Sequence, residues 1–239
     1  MGNKEYFVIT GDVVGSSLFK GVERKNLHNA LVESLQFIRE ENTDSFLYDF
    51  DIFRGDSFQN VLKSNSTVFS ICLKLRLKLA IIMHPNPIDL RIAIGYGTID
   101  MLPEDRASLG DGKAYRFSGE MLDNLSKNSY RRIGIKTSDN QLNNLLEGYC
   151  ILFDKATVGW SFEQKEAVFW KMHGLTEVEI VKKLKGKPIA QKNVSKRLKT
   201  AEWKQHVKPS LNMIDDFFRD VSNPSARLGS ASHPIYLET

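Results

Sequence analysis

The chain has 239 residues, 41% hydrophobic and 26% charged, so it is long enough to bury a core and is not globally disordered. Two cysteines in apolar surroundings, Cys72 and Cys150, argue against a disulfide framework or a zinc site and favour a cytoplasmic location. The N-terminal residues lack a signal-peptide core, and the most apolar helix, 68–83, contains basic residues, so we expect neither export nor a membrane span.

The charge distribution sets one part of the chain apart. Although the net charge is only +4, residues 160–208 hold 12 Lys or Arg against 5 Asp or Glu, whereas the remainder holds 21 against 24. Such an asymmetry is typical of a small module that meets a polyanion. A solvated helical face is the alternative interpretation.

The first part of the chain follows the pattern β-α-β-β-α-β. Strands are indicated by short apolar or alternating runs, and helices by apolar residues three or four positions apart. The period of two at 46–52 predicts that Phe46, Tyr48, Phe50 and Ile52 share one face. The predicted elements are a strand (6–10), a helix (27–38), a hairpin (46–52 and 58–62), a helix (67–83) and a strand (90–95). This order indicates a ferredoxin-like or palm domain, an antiparallel sheet with both helices on one face.

The second part of the chain completes this domain and adds a helical one. A loop rich in Asp and Gly (103–112) is followed by a helix (114–124), a strand (132–136) and a helix (141–155). The predicted fold is therefore α+β. It comprises a palm domain over 1–158, a small all-α helix-turn-helix domain over 159–221 and a flexible tail over 222–239.

Two acidic turns form the candidate site of the palm. Asp12 follows the first strand, and Asp56 lies in the turn of the hairpin. In a palm sheet the first strand and this hairpin are neighbours, so both carboxylates are expected to face one cavity. Paired acidic oxygens without His or Cys suit Mg²⁺ or Mn²⁺, shared with substrate phosphates. The alternative is that both Gly-Asp pairs only make turns.

Neighbouring residues extend this candidate site. The carbonyl of Val13 is a candidate third metal ligand, and the hairpin residue Arg54 is a candidate for cofactor binding. Gly15, Ser16 and Ser17 open the next helix and would present N–H groups to phosphate oxygens. The predicted cofactors are magnesium or manganese and a nucleoside triphosphate.

These motifs resemble the catalytic domain of class III nucleotidyl cyclases and the related diguanylate cyclase palm. In those enzymes a strand ends in Asp followed by Ile or Val, a hairpin carries Gly-Asp, and both aspartates bind metal. Asp12 with Val13, and Asp56, stand at the matching positions. The run 90–97 resembles the cyclase strand of the form apolar-Arg-apolar, and 112–118 resembles the Gly-led helix that follows it.

The catalytic residues of those cyclases are not matched. Their transition-state Asn and Arg correspond to Arg116 and Glu120, and their adenine-selecting Lys corresponds to Ile52. The resemblance thus implies a metal site without the full catalytic set. Arg116 is the candidate substitute, since a cation there would stabilise developing phosphate charge.

The motifs taken together resemble SatD-like bacterial proteins. These motifs are Thr-Gly-Asp-Val-Val-Gly-Ser (10–16), Arg-Gly-Asp-Ser-Phe-Gln (54–59), Asp-Gly-Lys-Ala-Tyr-Arg (111–116) and the C-terminal helix-turn-helix. The resemblance extends to about residue 205 and implies an architecture, with little chemistry.

The basic segment has the pattern of a helix-turn-helix. A helix at 161–173 ends at Gly174, a capping box of Thr176 and Glu179 starts a second helix, and a turn at 185–188 leads to a third at 191–201. The third helix is expected to expose residue types that bond phosphates or base edges in the major groove. These candidate DNA-binding residues are Gln191, Lys192, Ser195, Lys196 and Lys199.

This segment resembles the promoter-reading region of sigma factors and related response-regulator modules. The matching runs are 176–180 and 194–198. Val194 lies ten positions after Leu184, so the turn is longer than in those modules. A small helical bundle used for dimerisation is the alternative.

The leading hypothesis is a homodimeric DNA-binding regulator whose palm binds a nucleotide through Mg²⁺, without a membrane partner. One alternative is a divergent nucleotidyl cyclase or nucleotidyltransferase. Another is a degenerate palm that serves only as a dimerisation scaffold and pairs two DNA-binding helices.

Overall fold

The structure, a computed structural model, describes residues 4–184 and 190–222. Strands and helices alternate first, and helices alone follow. The strands are β1 (Glu5–Val13), β2 (Asp51–Phe53), β3 (Ser57–Lys63), β4 (Leu90–Thr98) and β5 (Ile133–Lys136). The helices are α1 (Gly21–Glu41), α2 (Val68–Met83), α3 (Lys113–Ser126), α4 (Asn140–Thr157), α5 (Phe162–Met172), α6 (Glu177–Lys183), α7 (Gln191–Thr200) and α8 (Lys208–Ser222). In the described ranges, no helix combines the length and apolar character needed to cross a bilayer.

The sheet has the strand order β2-β3-β1-β4-β5. The pairs among β1 to β4 are antiparallel, and β5 joins β4 in parallel. The predicted antiparallel β-α-β-β-α-β arrangement is therefore observed for β1 to β4, with β5 as an addition. Because β1 is central, its last residues lie between the β2-β3 hairpin and β4.

Alternate residues of β1 enter two hydrophobic clusters on opposite faces of the sheet. Phe7 and Ile9 belong to the larger cluster, which contains the apolar side chains of α1 and α2. Val8 belongs to a smaller cluster with Ala114 and Tyr115 of α3. The palm helices α1 and α2 thus share one face, as expected, and α3 covers part of the other.

Helix α3 lies directly against the sheet. A Cβ added at Gly95 of β4 would lie 1.9 Å from the carbonyl oxygen of Ala114 and 2.6 Å from the amide nitrogen of Ser118. The hydroxyl of Ser118 is also 2.9 Å from that of Thr10 on β1. A side chain at position 95 is therefore incompatible with this approach of helix and strand.

The predicted strand at 46–52 is wrong in extent and facing. Only Asp51–Phe53 is a strand, and Phe46 makes an isolated bridge to Leu62. The carbonyl of Tyr48 accepts side-chain hydrogen bonds from Arg39 and Asn60, both at 2.9 Å, instead of entering a ladder. As a result, the Tyr48 ring packs in the smaller cluster, whereas Phe46, Phe50 and Ile52 pack against the larger one.

A buried network of charged groups joins α2, the residue before β4, and α4. Arg76 on α2 is 4% exposed and donates to both carboxylate oxygens of Asp89, at 2.9 Å each. It also donates to Thr157 at 3.3 Å and lies 3.8 Å from Asp154, both on α4. Burial raises the pKa of Asp154, whose other oxygen accepts from the amide of Arg132 at 2.7 Å.

The C-terminal helices share the core of the sheet domain. Phe169 of α5, Val194 of α7 and Phe218 of α8 are buried in the same cluster as Phe7 of β1. The rings of Phe7 and Phe218 are 5.3 Å apart. The boundary at residue 158 stays a prediction, but the buried side chains on its two sides form one continuous cluster.

The predicted helices of the basic segment are present. Thr176 and Glu179 form the predicted capping box of α6, and a second box caps α5. The predicted turn at 185–188 and residues 223–239 of the predicted tail lie outside the described residues. Helix α8 is absent from the predictions, although Leu211, Ile214 and Phe218 have helical spacing and are buried.

Helix α8 caps the start of α2. The carboxylate of Asp215, 3% exposed, accepts from the amides of Phe69 and Ser70, at 3.0 and 3.3 Å, and from the hydroxyl of Ser70 at 2.6 Å. These bonds satisfy amides that the helix itself leaves free. Burial outweighs them and raises the pKa of Asp215 to about 6.

We expect Gly95→Ala to lower the free energy of unfolding by about 2 kcal/mol or more, because the methyl group meets backbone atoms of α3. Gly148→Ala, inside α4, is the matched control. Nothing lies within 4 Å of its added Cβ, so up to about 1 kcal/mol of stabilisation is expected. Urea unfolding measures both, and equal effects would contradict the close approach.

Asp215 gives a testable pH dependence. Its folded pKa is above the ordinary value, so the folded state holds the proton more tightly, and stability is lost as pH rises through about 6. This group should lower stability by about 1 kcal/mol between about pH 5 and about pH 7. Urea unfolding of wild type and Asp215→Asn at both pH values isolates this contribution. An identical pH dependence of the two proteins would show that Asp215 does not titrate in this range.

Candidate functional site

Asp12 lies at the end of β1, directly opposite Arg91 of β4. Nε and Nη2 of Arg91 each donate to a different carboxylate oxygen of Asp12, both at 2.8 Å. The two side chains are 22% and 21% exposed. A bidentate pair of this kind neutralises the carboxylate and fixes its orientation.

Asp56 lies in the turn between β2 and β3. Arg54 and Gly55 adopt left-handed backbone angles there, with φ of 56° and 83°. The Asp56 carboxylate accepts from the hydroxyl of Ser16 and lies 3.4 Å from Nη2 of Arg24 on α1. Nη1 of Arg24 also donates to the carbonyl of Ser16 at 2.8 Å. Arg24 thus links the start of α1 to the hairpin turn.

The backbone brings the two aspartates together, but their side chains have different partners. The amide of Val13 donates to the carbonyl of Asp56 at 3.1 Å, and Asp12 is paired with Ser57 in the ladder. The Asp12 carboxylate is engaged by Arg91 and that of Asp56 by Arg24. The sheet and α1 together therefore place two carboxylates and two guanidinium groups at one end of β1.

This arrangement does not offer a divalent cation free carboxylate oxygens at Asp12. A cation there would have to displace Arg91 from both oxygens. Across residues 4–184 and 190–222, no group of three or more His, Cys, Asp or Glu is placed to hold a metal ion. The magnesium or manganese site of Asp12 and Asp56, and its nucleoside triphosphate, stay predictions.

The other predicted site residues surround this end of β1. Val13 is buried, and its amide is used by Asp56. Gly15, with φ of 71°, precedes a short 3₁₀ turn at Ser16–Leu18, where Ser17 is exposed. Arg54 is exposed at the tip of the hairpin. The backbone turn is thus present, while phosphate binding at it stays a prediction.

Arg116 has its contacts elsewhere. It lies in the first turn of α3, is 51% exposed, and pairs with Asp111 at 2.8 Å and Asp100 at 3.2 Å. Both partners belong to the connection from β4 to α3. Its predicted catalytic role stays a prediction, and its contacts in the described ranges do not include Asp12 or Asp56.

The two arginines that contact the aspartates are missing from the predicted site. Arg91 lies 79 positions from Asp12, and only the register of β1 and β4 makes them opposite. The signal in the sequence is its place in the apolar-Arg-apolar run at 90–92. Arg24 has a weaker signal, a position in the first turns of the helix that follows Ser16.

The predicted DNA-binding residues lie on α7. Gln191, Lys192, Lys196 and Lys199 are exposed, as expected. Ser195 differs, because its hydroxyl donates to the carboxylate of Glu177 on α6 and is only partly exposed. Four of the five predicted residues therefore share the solvent face of the helix.

A double-mutant cycle measures how much the Asp12–Arg91 pair contributes. We expect a coupling free energy of about 1–3 kcal/mol from Asp12→Ala, Arg91→Ala and the double variant, since the pair is bidentate and largely shielded from water. Asp111–Arg116 is the matched control, with the same 2.8 Å separation but more than half of each side chain exposed. There we expect less than about 1 kcal/mol. Equal couplings in urea unfolding would mean that burial does not strengthen the first pair.

Comparison with known proteins identifies a family. The SatD family matches the chain over residues 6–215. No curated protein matches the sequence. A solved structure of a bacterial light-regulated adenylyl cyclase is similar, with 12% identity and a TM-score of 0.39 over 56% of this chain and 77% of the cyclase chain. That score is too low to establish a common fold. The match to the family profile covers most of the chain, which therefore belongs to the SatD family.

Proposed function

We propose that this chain is a DNA-binding regulator in which α7 enters the major groove and the palm domain senses a nucleotide. The observation that carries the proposal is the outer face of α7. Gln191, Lys192, Lys196 and Lys199 are exposed on this helix, which contains no Asp or Glu. Long donors on one helical face suit phosphate oxygens and the base edges of the major groove.

The inner face of α7 fixes its orientation. Val194 and Leu198 are buried, and Ser195 is bonded to Glu177 at the start of α6. The side-chain amide of Gln164 on α5 donates to the hydroxyl of Thr200 at 3.1 Å. These contacts with α5, α6 and the hydrophobic core hold α7 with its lysines facing outward, which supports binding in a groove.

Contacts between the palm helices and α5 support regulation. His173, at the end of α5, has Nε2 2.8 Å from the carboxylate of Glu41 at the end of α1. The His84 ring, after α2, stacks on Phe162 of α5 at 3.7 Å. Since α5 packs on α7, a displacement of the palm helices would reach the DNA-binding face. In a homodimer, two α7 helices about 34 Å apart would match half-sites one turn of DNA apart.

Fluorescence anisotropy with a random-sequence duplex pool tests the proposal on the full-length chain. The triple variant Lys192→Ala, Lys196→Ala and Lys199→Ala should weaken binding by about tenfold or more. It should also reduce the slope of log affinity against log salt by about 2 to 3, since each lost phosphate contact lowers it by about 0.9.

The matched control removes the same charge from the palm. Lys25, Lys127 and Lys155 are exposed, and their triple change to Ala should leave duplex binding nearly unaltered. Absence of duplex binding by the wild type at low salt would contradict the proposal. Equal losses of duplex affinity in the two triple variants would show that binding depends only on the net charge of the protein and not on α7.

The sensing part is tested separately in the same assay. A nucleoside triphosphate that changes duplex affinity in the wild type, but not in Asp56→Asn, would support sensing at the hairpin turn. If no nucleotide changes the duplex affinity of the wild type, the nucleotide-sensing part of the proposal is wrong, and the DNA-binding part is unaffected.

A further inference from the structure

A cleft lined by lysines lies where α2, α5, α7 and α8 meet. It consists of two adjoining cavities of about 320 and 460 Å³, which share Lys171, Trp203 and Lys208 as walls. Each cavity falls in the range of small-molecule sites. The lysine cleft is defined by Lys74, Lys171, Lys199, Lys204 and Lys208.

The charged residues that line this cleft are mostly lysines, of which Lys74 lies 3.9 Å from the carboxylate of Glu41. Glu177 is the one acidic residue among the described lining residues, and its carboxylate already accepts from Ser195. Lys199, Lys204 and Lys208 have no carboxylate within ion-pair distance in the described ranges. Several cations facing one concave space repel each other, so a bound anion would lower the electrostatic free energy.

The floor of the cleft strengthens this effect. Trp203 and Leu198 are 6% and 7% exposed, and Leu211 is buried beside them. Low-dielectric walls beside several cations concentrate the positive potential in the cleft. The neutral groups of Thr67 and Asn212 also line it and supply further hydrogen-bonding atoms.

The backbone brings two of these lysines to the cleft through an uncommon turn. Trp203–Val207 is a π-helical turn, and it follows Glu202, a non-glycine residue with φ of 53°. It carries Lys204 to the rim, and α8 begins directly after it with Lys208.

We propose that the lysine cleft binds a small molecule that carries two or more linked phosphates. The site is distinct from the Asp12–Asp56 turn, and the proposal does not depend on DNA binding. Lysines from four helices and the π-helical turn line one concavity, which suits a compact polyanion more than a long duplex. Lys192 and Lys196, on the outer face of α7, line neither cavity.

Occupancy of the cleft would act on α7 directly. Lys199 belongs to α7, Lys171 to α5, and Lys74 to the palm helix α2. A polyphosphate that contacts all three would link α7 to α2. The binding itself does not depend on DNA, but an effector role for the ligand rests on the DNA-binding function proposed above.

Calorimetry with inorganic tripolyphosphate tests the site on the full-length chain, with sodium chloride at matched ionic strength as a blank. The wild type should bind saturably, and the ligand should raise the melting temperature. Lys204→Ala with Lys208→Ala should weaken binding by about tenfold or more, since two charge-assisted contacts are lost. The conservative pair Lys204→Arg with Lys208→Arg should restore most of the affinity.

Lys192→Ala with Lys196→Ala is the matched control, because it removes the same charge from α7 outside the cleft. It should change tripolyphosphate affinity by less than about twofold. Both lysines of the test pair are exposed, and circular dichroism checks that the variants fold. No saturable binding by the wild type, or equal weakening in the two pairs, would overturn the proposal.

Duplex binding by the same two variant pairs distinguishes the source of the phosphate. If the Lys204 and Lys208 changes impair duplex binding while tripolyphosphate does not bind the wild type, the cleft belongs to a DNA surface and the proposal is wrong. If tripolyphosphate binds as expected and no duplex binds, the cleft stands and the proposed DNA-binding function fails.

Discussion

The buried charge of Arg76 is the constraint on which the rest of the structure depends. Removing a guanidinium from water costs several kcal/mol unless its partners are well placed, so Asp89, Asp154 and Thr157 have to meet it. Asp89 immediately precedes β4, and its carbonyl accepts from the amide of Val14 at 2.9 Å. Fixing Asp89 therefore fixes the start of β4 against the end of β1. The bidentate contact of Arg91 with Asp12 follows two residues later, and the two partners on α4 anchor the helix that leads to α5.

Interactions between residues close in the sequence are sufficient to predict most helices and strands, whereas contacts between distant segments are not predictable. The capping box of Thr176 and Glu179 and the acidic hairpin turn depend on neighbours in the chain, and both are present in the structure. The alternation at 46–52 predicts a longer strand than the structure has. In the structure the side chains of Arg39 and Asn60 donate to the carbonyl of Tyr48, and a period of two does not reveal these contacts. The arginine partners of Asp12 and Asp56 depend on strand register and helix placement. A pattern of residue types does not specify either.

The candidate site and the C-terminal helices differ in how far their charged side chains are paired. At the end of β1, each carboxylate is compensated by an arginine, so the site is nearly neutral and held in one geometry. Around α7, Lys192, Lys196, Lys199, Lys204 and Lys208 form no ion pair with any carboxylate in the part of the chain that the structure describes. Lys199 belongs to both surfaces. An anion bound in the lysine cleft would therefore reduce the positive potential that a phosphate backbone meets on the outer face.

The cap that Asp215 places on α2 has a consequence for when α2 can complete its hydrogen bonds during synthesis of the chain. Its hydrogen bond to the amide of Ser70 joins residues 145 positions apart. At the usual translation rate of roughly 5–20 residues per second, the first turn of α2 waits on the order of ten seconds for its carboxylate. Throughout that interval Asp215 cannot accept from the amides of Phe69 and Ser70. Helix α2, although encoded much earlier, reaches its final hydrogen bonding only after the last described helix has left the ribosome.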